Sequence, residues 1–296
     1  MTFDVIIYAF FEVLMKRLII PVILCLFMSG CAFNPIEAST VYESPYATDV
    51  DGKLVPVHEN VEESIFLSKL FSFDEKGRVK YKDSSVNLLH GIDVSVFQGD
   101  IDWNAVKNDG IDFVFLRIGF RGYGTKGIMQ IDENFYNNYA SAKDAGLKVG
   151  VYFYSQALNS LEAIEEADFV LDTLDGRALD FPIAYDWEYV DNVTARTKNM
   201  TSEAITECAY AFCKHIEKNG YKSIIYFNCE IGYFEYDLSY VDSFDFWLAE
   251  YNTYPTFIYN YKLWQYTDKG TVDGIDGFVD LNISVIDYSV TADAYG

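Results

Sequence analysis

At 296 residues the chain can hold one large α/β domain or two small ones, and half of it is hydrophobic, so a sizeable core is available. A formal charge of −23 without any basic stripe argues against a nucleic-acid partner, because nothing stands ready to neutralise phosphates. Acidity of this kind suits a neutral or cationic substrate, and 24 tyrosines offer a wet, stacking surface as well as a core.

The N-terminus carries a targeting pattern. Lys16-Arg17, an apolar run over residues 18–28 and then Ser29-Gly30-Cys31 give a basic region, a short apolar region and small residues before a cysteine. The order resembles a bacterial lipoprotein signal over residues 1–30, with Cys31 as the lipidated first residue of the mature chain. Met15, directly before Lys16, offers a second start site besides Met1. A competing reading joins residues 5–14 to the later run as an uncleaved anchor, interrupted by Glu12, Lys16 and Arg17. On either reading the protein is exported, and it is expected as a membrane lipoprotein facing the wall or as a secreted form. Cys208, Cys213 and Cys229 then remain, an odd set that implies buried thiols and no disulfide framework.

Residues 31–60 are polar and turn-rich (Asn34-Pro35, Ser44-Pro45, Asp51-Gly52) and read as a tether. Residues 61–88 suggest a short helix and a small hairpin. From Gly91 onward strand-like and helix-like stretches alternate. Strands are predicted over 92–95, 113–120, 147–155, 183–188, 223–228, 245–251, 261–266 and 279–283, and helices over 103–108, 132–145, 160–174 and 201–218. The last helix is opened by Thr201-Ser202-Glu203 and closed by Asn219-Gly220. Repeated units of this kind predict an α/β fold with buried parallel strands. Eight strands predict a (β/α) TIM-like barrel over 89–290, with reduced helices in its second half.

Chemistry in such barrels sits at the C-terminal ends of the strands. The run Phe181-Pro182-Ile183-Ala184-Tyr185-Asp186-Trp187-Glu188 reads as a buried strand whose two carboxylates, two residues apart, share one face. Their backbone separation is roughly 6.5–7 Å, a spacing at which two acids can flank a glycosidic bond. The other strand ends bring Asp93 and Ser95, Arg117, Tyr152 and Tyr154, Tyr226 and Asn228, Trp247 and Glu250, Trp264 and Gln265, and Asp280 and Asn282. Together they predict an acidic cleft in which Tyr152, Tyr154, Tyr226, Trp247, Tyr251, Trp264 and Gln265 bind sugar rings and hydroxyls.

Gly91-Ile92-Asp93-Val94-Ser95-Val96-Phe97-Gln98-Gly99 with Ile101-Asp102-Trp103, and the Asp186-x-Glu188 strand, resemble the opening and catalytic strands of glycoside hydrolase family 25. Trp247-Leu248-Ala249-Glu250-Tyr251, Leu263-Trp264-Gln265-Tyr266-Thr267 and the stretch 274–282 resemble its later strands in order. The resemblance spans about residues 89–284 and implies a flattened (β/α) barrel and an N-acetylmuramidase, or Chalaropsis-type lysozyme. Such an enzyme cleaves β-1,4 bonds between N-acetylmuramic acid and N-acetylglucosamine. It further implies Glu188 as general acid, Asp186 as a stabilising carboxylate, and Asp93 and Asp280 completing the cluster. Crowding by those three aspartates is expected to raise the pKa of Glu188.

Inversion and retention through the substrate's 2-acetamido group both stay open. The spacing exceeds the ~5–5.5 Å of a direct carboxylate nucleophile, which favours substrate assistance with Asp186 orienting the acetamido group. No cofactor is expected, and the scattered His58, His90 and His215 argue against zinc. The expected partners are peptidoglycan glycan strands and, through the lipid, the membrane, with the protein itself a monomer. A non-catalytic wall-binding lipoprotein needs the cleft but not the acids. A chitin-directed barrel lacks its pattern here, since only Asp186 stands within five residues upstream of Glu188.

Overall fold

A computed structural model describes residues 46–291 of the chain. The signal over 1–30, Cys31 and the first part of the tether lie outside the described residues. The rest of that tether, residues 46–60, is not one. It forms a hairpin of β1 (Tyr46–Thr48) and β2 (Leu54–Pro56), with Val55 fully buried. The His58 amide donates to the Tyr259 hydroxyl, and its ring lies between the Tyr233 carbonyl and the Leu238 amide. A second hairpin, β3 (Phe71–Phe73) and β4 (Val79–Tyr81), follows a single 3-10 turn at Ser68–Leu70.

Eight later strands close into a barrel: β5 (Leu89–Val94), β6 (Phe113–Arg121) with the short antiparallel β7 (Met129–Ile131) hung on its end, β8 (Lys148–Ser155), β9 (Ile183–Trp187), β10 (Ser223–Asn228), β11 (Asp245–Ala249), β12 (Leu263–Gly270) and β13 (Val279–Ser284). The first half is wrapped by α1 (Trp103–Asn108), α2 (Phe135–Asp144), α3 (Ser160–Leu174) and α4 (Ser202–Lys218). Asn159 caps α3 by accepting from the Leu161 and Glu162 amides, and Thr201 caps α4 by accepting from Ala204. Between β10 and β11 there are only α5 (Cys229–Phe234) and α6 (Leu238–Val241); a last turn, α7 (Tyr288–Thr291), follows β13.

Two departures from a fully parallel, helix-wrapped barrel follow from the missing helices. No helix joins β12 to β13, so the chain turns straight back, and β13 runs antiparallel to both β12 and β5. Nor, among the described residues, does a helix cover the outer face of β12, so the β3–β4 hairpin and the segment before it do so instead. Phe71 packs edge-on against Trp264 at 5.3 Å, and Phe66 lies 5.4 Å from Tyr261. Backbone bonds from Ser64 to Ile258 and from Asn260 to Glu62 stitch the segment down.

Inside the barrel, aromatic rings fill the lower half. Phe113 stacks on Phe181 at 4.6 Å, and Phe115 lies 4.5 Å from Trp247. Glycines leave the room for these rings: a Cβ on Gly91 would stand 2.2 Å from the Phe113 ring, and one on Gly150 would stand 2.8 Å from Phe115. Gly91→Ala should therefore destabilise the fold by about 3 kcal/mol, the upper end for overpacking a dense core. Urea unfolding of the two proteins measures this, and a change under about 0.5 kcal/mol, the range of neutral surface substitutions, contradicts it.

Candidate active site

Strand alternation sets the site. On β9, Ile183, Tyr185 and Trp187 pack outward into the layer beneath the helices, while Ala184 and Asp186 face the barrel axis and Glu188 follows on the same side. On β5 the inward residue at the same level is Asp93, and Asp280 pairs with it directly across the β13–β5 ladder. Because β13 is reversed, Asp280 stands near the beginning of its strand and yet at the same end of the barrel as the others. The mouth holds a cavity of about 210 Å³ lined by Asp93, Arg117, Tyr152, Tyr154, Asp186, Glu188, Tyr226, Trp247, Tyr251, Gln265 and Asp280.

All four predicted catalytic carboxyls and every predicted sugar-binding residue but Trp264 line this cavity, whereas Ser95, Asn228, Glu250 and Asn282 from the predicted strand ends do not. Cys31 lies outside the described residues. Trp264 is buried on the outer face of β12, where its indole N–H donates to the Glu250 carbonyl (2.8 Å) and its ring meets Phe71 and Tyr266. It and Gln265 are neighbours on one strand and cannot both face the axis; Gln265 does.

A hydrogen-bonded frame holds the acids. Asp93 Oδ2 accepts from Gln265 Nε2 (2.8 Å) and from Asn282 Nδ2 (2.7 Å). Asn282 Oδ1 accepts in turn from the Trp247 indole (2.8 Å), and Gln265 Oε1 from the hydroxyls of Tyr226 (3.0 Å) and Tyr251 (2.9 Å). Asp186 Oδ1 is buried with no hydrogen-bond partner among the described residues. Arg117 is the one cation lining the cavity. Asp132 Oδ2 fixes it through Nε (2.8 Å) and Nη2 (2.7 Å), and Phe97 and Phe120 flank its guanidinium at 5.0 and 5.3 Å.

Asn282 and Arg117, both at predicted strand ends, belong to the site in addition to the predicted binding residues. The arginine's signal was its being the lone cation at any strand end. Asp132 gave no signal, since its position reads as a helix start; the helix begins at Phe135, and Asp132 is buried beside Arg117.

Burial dominates the electrostatics. It raises Asp93 to about 6 despite the amide donors, and raises Asp280 to about 8 with help from the neighbouring Asp93. Asp186 is pushed well above the usual carboxylate range by burial and then by Glu188 and Asp93, with Arg117 opposing. Glu188 is raised, but loss of water is the leading cause; a hydrogen bond with Tyr226 opposes it, and of the three aspartates expected to crowd it only Asp93 adds to the rise. Among the described residues no cluster of His, Cys, Asp and Glu could hold a metal ion, and no helix is long and apolar enough to cross a membrane.

A closed barrel whose strand ends converge on buried carboxylates and aromatic rings defines a glycoside-hydrolase type of site. Residues 92–275 match the profile of Glycosyl hydrolases family 25, and the chain belongs to that family. It is 30% identical over 200 residues to the autolytic lysozyme of Clostridium acetobutylicum, a match covering 66% of this chain and only 55% of that relative. The chain thus spans little more than half of that relative's length. Its fold is similar to a family 25 glycosyl hydrolase from Bacillus anthracis, with TM-score 0.58 and 22% identity over 72% of this chain and 95% of the other. It is also similar to the modular autolysin LytC of Streptococcus pneumoniae, solved with a synthetic peptidoglycan ligand, with TM-score 0.58 and 22% identity over 80% and 56% of the two chains.

The raised acids carry a sign that can be tested. A carboxyl whose folded pKa lies above its unfolded value of ~4 keeps a proton that the unfolded chain releases, so its contribution to stability is lost as pH rises towards the folded value. For Asp280 that window ends near 8. His58 and His90 are lowered by burial and stay neutral above their ordinary value, so they do not titrate above pH ~6.5. The melting temperature should fall between pH 6.5 and 8, and Asp280→Asn should lessen that fall. Calorimetry at the two pH values decides it, and an unchanged slope in the variant contradicts the assignment.

Proposed function

We propose that the chain is a peptidoglycan hydrolase that cleaves the β-1,4 bond between N-acetylmuramic acid and N-acetylglucosamine, with Glu188 as general acid. The observation that carries this reading is the pair at the end of β9: a half-buried Glu188, whose carboxyl is raised by loss of water, on the same face as an Asp186 whose Oδ1 lacks any donor among the described residues. Family membership and the likeness to an autolytic lysozyme support it.

The chemistry runs in two steps. Glu188 gives its proton to the leaving glycosidic oxygen as that C–O bond breaks, and the acetamido carbonyl oxygen of the same sugar bonds to the anomeric carbon. The acetamido N–H meanwhile donates to Asp186 Oδ1, filling its empty acceptor and stabilising the positive charge that develops on the group. Water then attacks the anomeric carbon and passes a proton to Glu188, now the base, which restores both the acetamido group and the acid. The substrate N–H also favours ionised Asp186, and the like charge beside it keeps the remaining proton on Glu188. Tyr152, Tyr154, Tyr226, Trp247 and Tyr251 supply rings and hydroxyls for the sugars.

Glu188→Gln keeps the shape and cannot donate the proton, so turnover should fall by ~10²–10⁴ with folding nearly unchanged. Digestion of purified peptidoglycan, followed by mass spectrometry of the new ends, should find N-acetylmuramic acid at the reducing end. Reducing-end N-acetylglucosamine indicates a glucosaminidase instead, and binding without cleavage indicates a wall-binding module. Wild-type turnover in the variant removes Glu188 from the role.

The reading extends to location: export, with Cys31 lipidated and the enzyme held on the membrane near its substrate. It rests on the order of Lys16-Arg17, the apolar run and Ser29-Gly30-Cys31. The full chain should partition with membranes, and Cys31→Ser should leave an unprocessed or released form. Wild-type protein found intact in the medium, without lipid on Cys31, overturns the anchor and leaves the hydrolase reading untouched.

A further inference from the structure

Around the closed barrel the strands run β5, β13, β12, β11, β10, β9, β8, β6 and back to β5. β11 and β6 therefore stand four strands apart by either route, on opposite sides of the mouth, and β9 stands midway, two strands from each. An exposed aromatic ring marks each of the two sides. Tyr251 follows β11, is 55% exposed, and donates its hydroxyl to Gln265 Oε1 (2.9 Å). Phe97 follows β5 and lies against the guanidinium of Arg117 on β6, 5.0 Å from it.

Phe97 is 81% exposed, so the fold gains almost nothing from its ring. The turn that carries it, a single 3-10 turn at Val96–Gln98, is nonetheless tied on every side. The Ser95 amide donates to Gln98 Oε1 (2.9 Å), and Ser95 Oγ accepts from the Phe97 amide (3.3 Å). Asp132 Oδ2, which also holds Arg117, accepts from the Val96 amide (3.0 Å), and Asn134 Nδ2 donates to the Gly99 carbonyl (3.2 Å). The ring is thus held in place and open to solvent, and a group already held loses little entropy when it meets a ligand.

Arg117 lines the cavity and Phe97 does not, so the ring stands just outside it, on the rim. The faces of a pyranose ring carry C–H groups that pack on an aromatic face, and a β-1,4 glycan is an extended row of such rings. We propose that Phe97 is a sugar-binding platform outside the cavity: a glycan strand crosses the mouth between Tyr251 and Phe97, passes the Asp186–Glu188 pair midway, and stacks one of its outlying sugars on Phe97. The platform makes the enzyme favour long glycan strands over short fragments. Phe97 touches no reacting atom in this role. The inference rests on the glycan-hydrolase reading and adds to it a binding residue and a preference for strand length.

The test uses the full chain and peptidoglycan glycan strands freed of their stem peptides, one set about four sugars long and one about eight. Phe97→Ala should raise KM for the longer strand about tenfold, the factor that covering one face of a phenyl ring commands. Its kcat should not change, because the lost contact is the same in ground and transition states. On the shorter fragment, which does not reach from the bond to the rim, the change should stay under about twofold. Phe97→Trp, which keeps an aromatic face, should hold the wild-type KM on both. The melting temperature should not move in either variant, because the ring is exposed.

An unchanged KM for the longer strand in Phe97→Ala shows that no sugar meets the ring, and overturns the proposal. A fall in kcat by the same factor on both lengths assigns the ring to the support of Arg117 alone, which also overturns it. A wild-type chain that cleaves neither strand removes the hydrolase reading instead. In that case the Kd for the longer strand, measured by calorimetry, takes the place of KM, with the same expected factor and the same overturning result.

Discussion

The withdrawal of four carboxyl groups from water at one end of the barrel is the constraint around which the rest is arranged. Each buried charge costs several kcal/mol in lost hydration, while a hydrogen bond to a charged group returns about 1.5–3 kcal/mol. Asp93 receives two amide donors and still rises to about 6, as that balance requires. The donors are amides, not cations, and this choice has a consequence. Paired with lysines or arginines, the acids would be ionised and useless as proton donors. With Asn282 and Gln265 as the donors to Asp93 and Arg117 the one cation lining the cavity, all four are instead raised above the usual carboxylate range.

How much of this could be read in the sequence turns on the two-residue period of a strand. Asp186 and Glu188 share a face in any register, so their pairing was legible without coordinates, and so was Asp280 with Asn282. Trp264 and Gln265 show the limit. Alternation says that one of two adjacent residues faces outward, but not which, because that depends on where the strand sits against its neighbours. Here Gln265 pairs with Ala249 on β11 and with Asn282 on β13, and Trp264 goes beneath the β3–β4 hairpin.

Other features rest on contacts between distant residues, which local patterns do not encode. Residues 46–60 are polar and turn-rich and so read as a linker. Their order comes from pairing with themselves and from Tyr233, Tyr259 and the face of the barrel, roughly 180–200 positions away. The reversal of β13 depends on the absence of a helix after β12, while its strand pattern would suit either direction. Arg117 and Asp132 meet beside a shift in the β6–β8 register between Arg117 and Gly119, a bulge with no mark in the sequence.

The floor of the site and the core of the barrel are the same rings, so stability and chemistry are coupled through them. Phe115 lies against Trp247, Trp247 donates to Asn282, and Asn282 donates to Asp93. Tyr226 meets the Trp247 ring edge-on at 5.0 Å while its hydroxyl donates to Gln265, which donates to Asp93. The apolar rings below exclude water and so raise the carboxyls above them; the polar edges of Trp247 and Tyr226 then hold the two amides that donate to Asp93. Those rings fit only because Gly91 and Gly150 leave space for Phe113 and Phe115. A glycine at the bottom of the barrel therefore bears on proton transfer at the top: any shift of Phe115 moves Trp247, and with it the donor frame that holds Asp93.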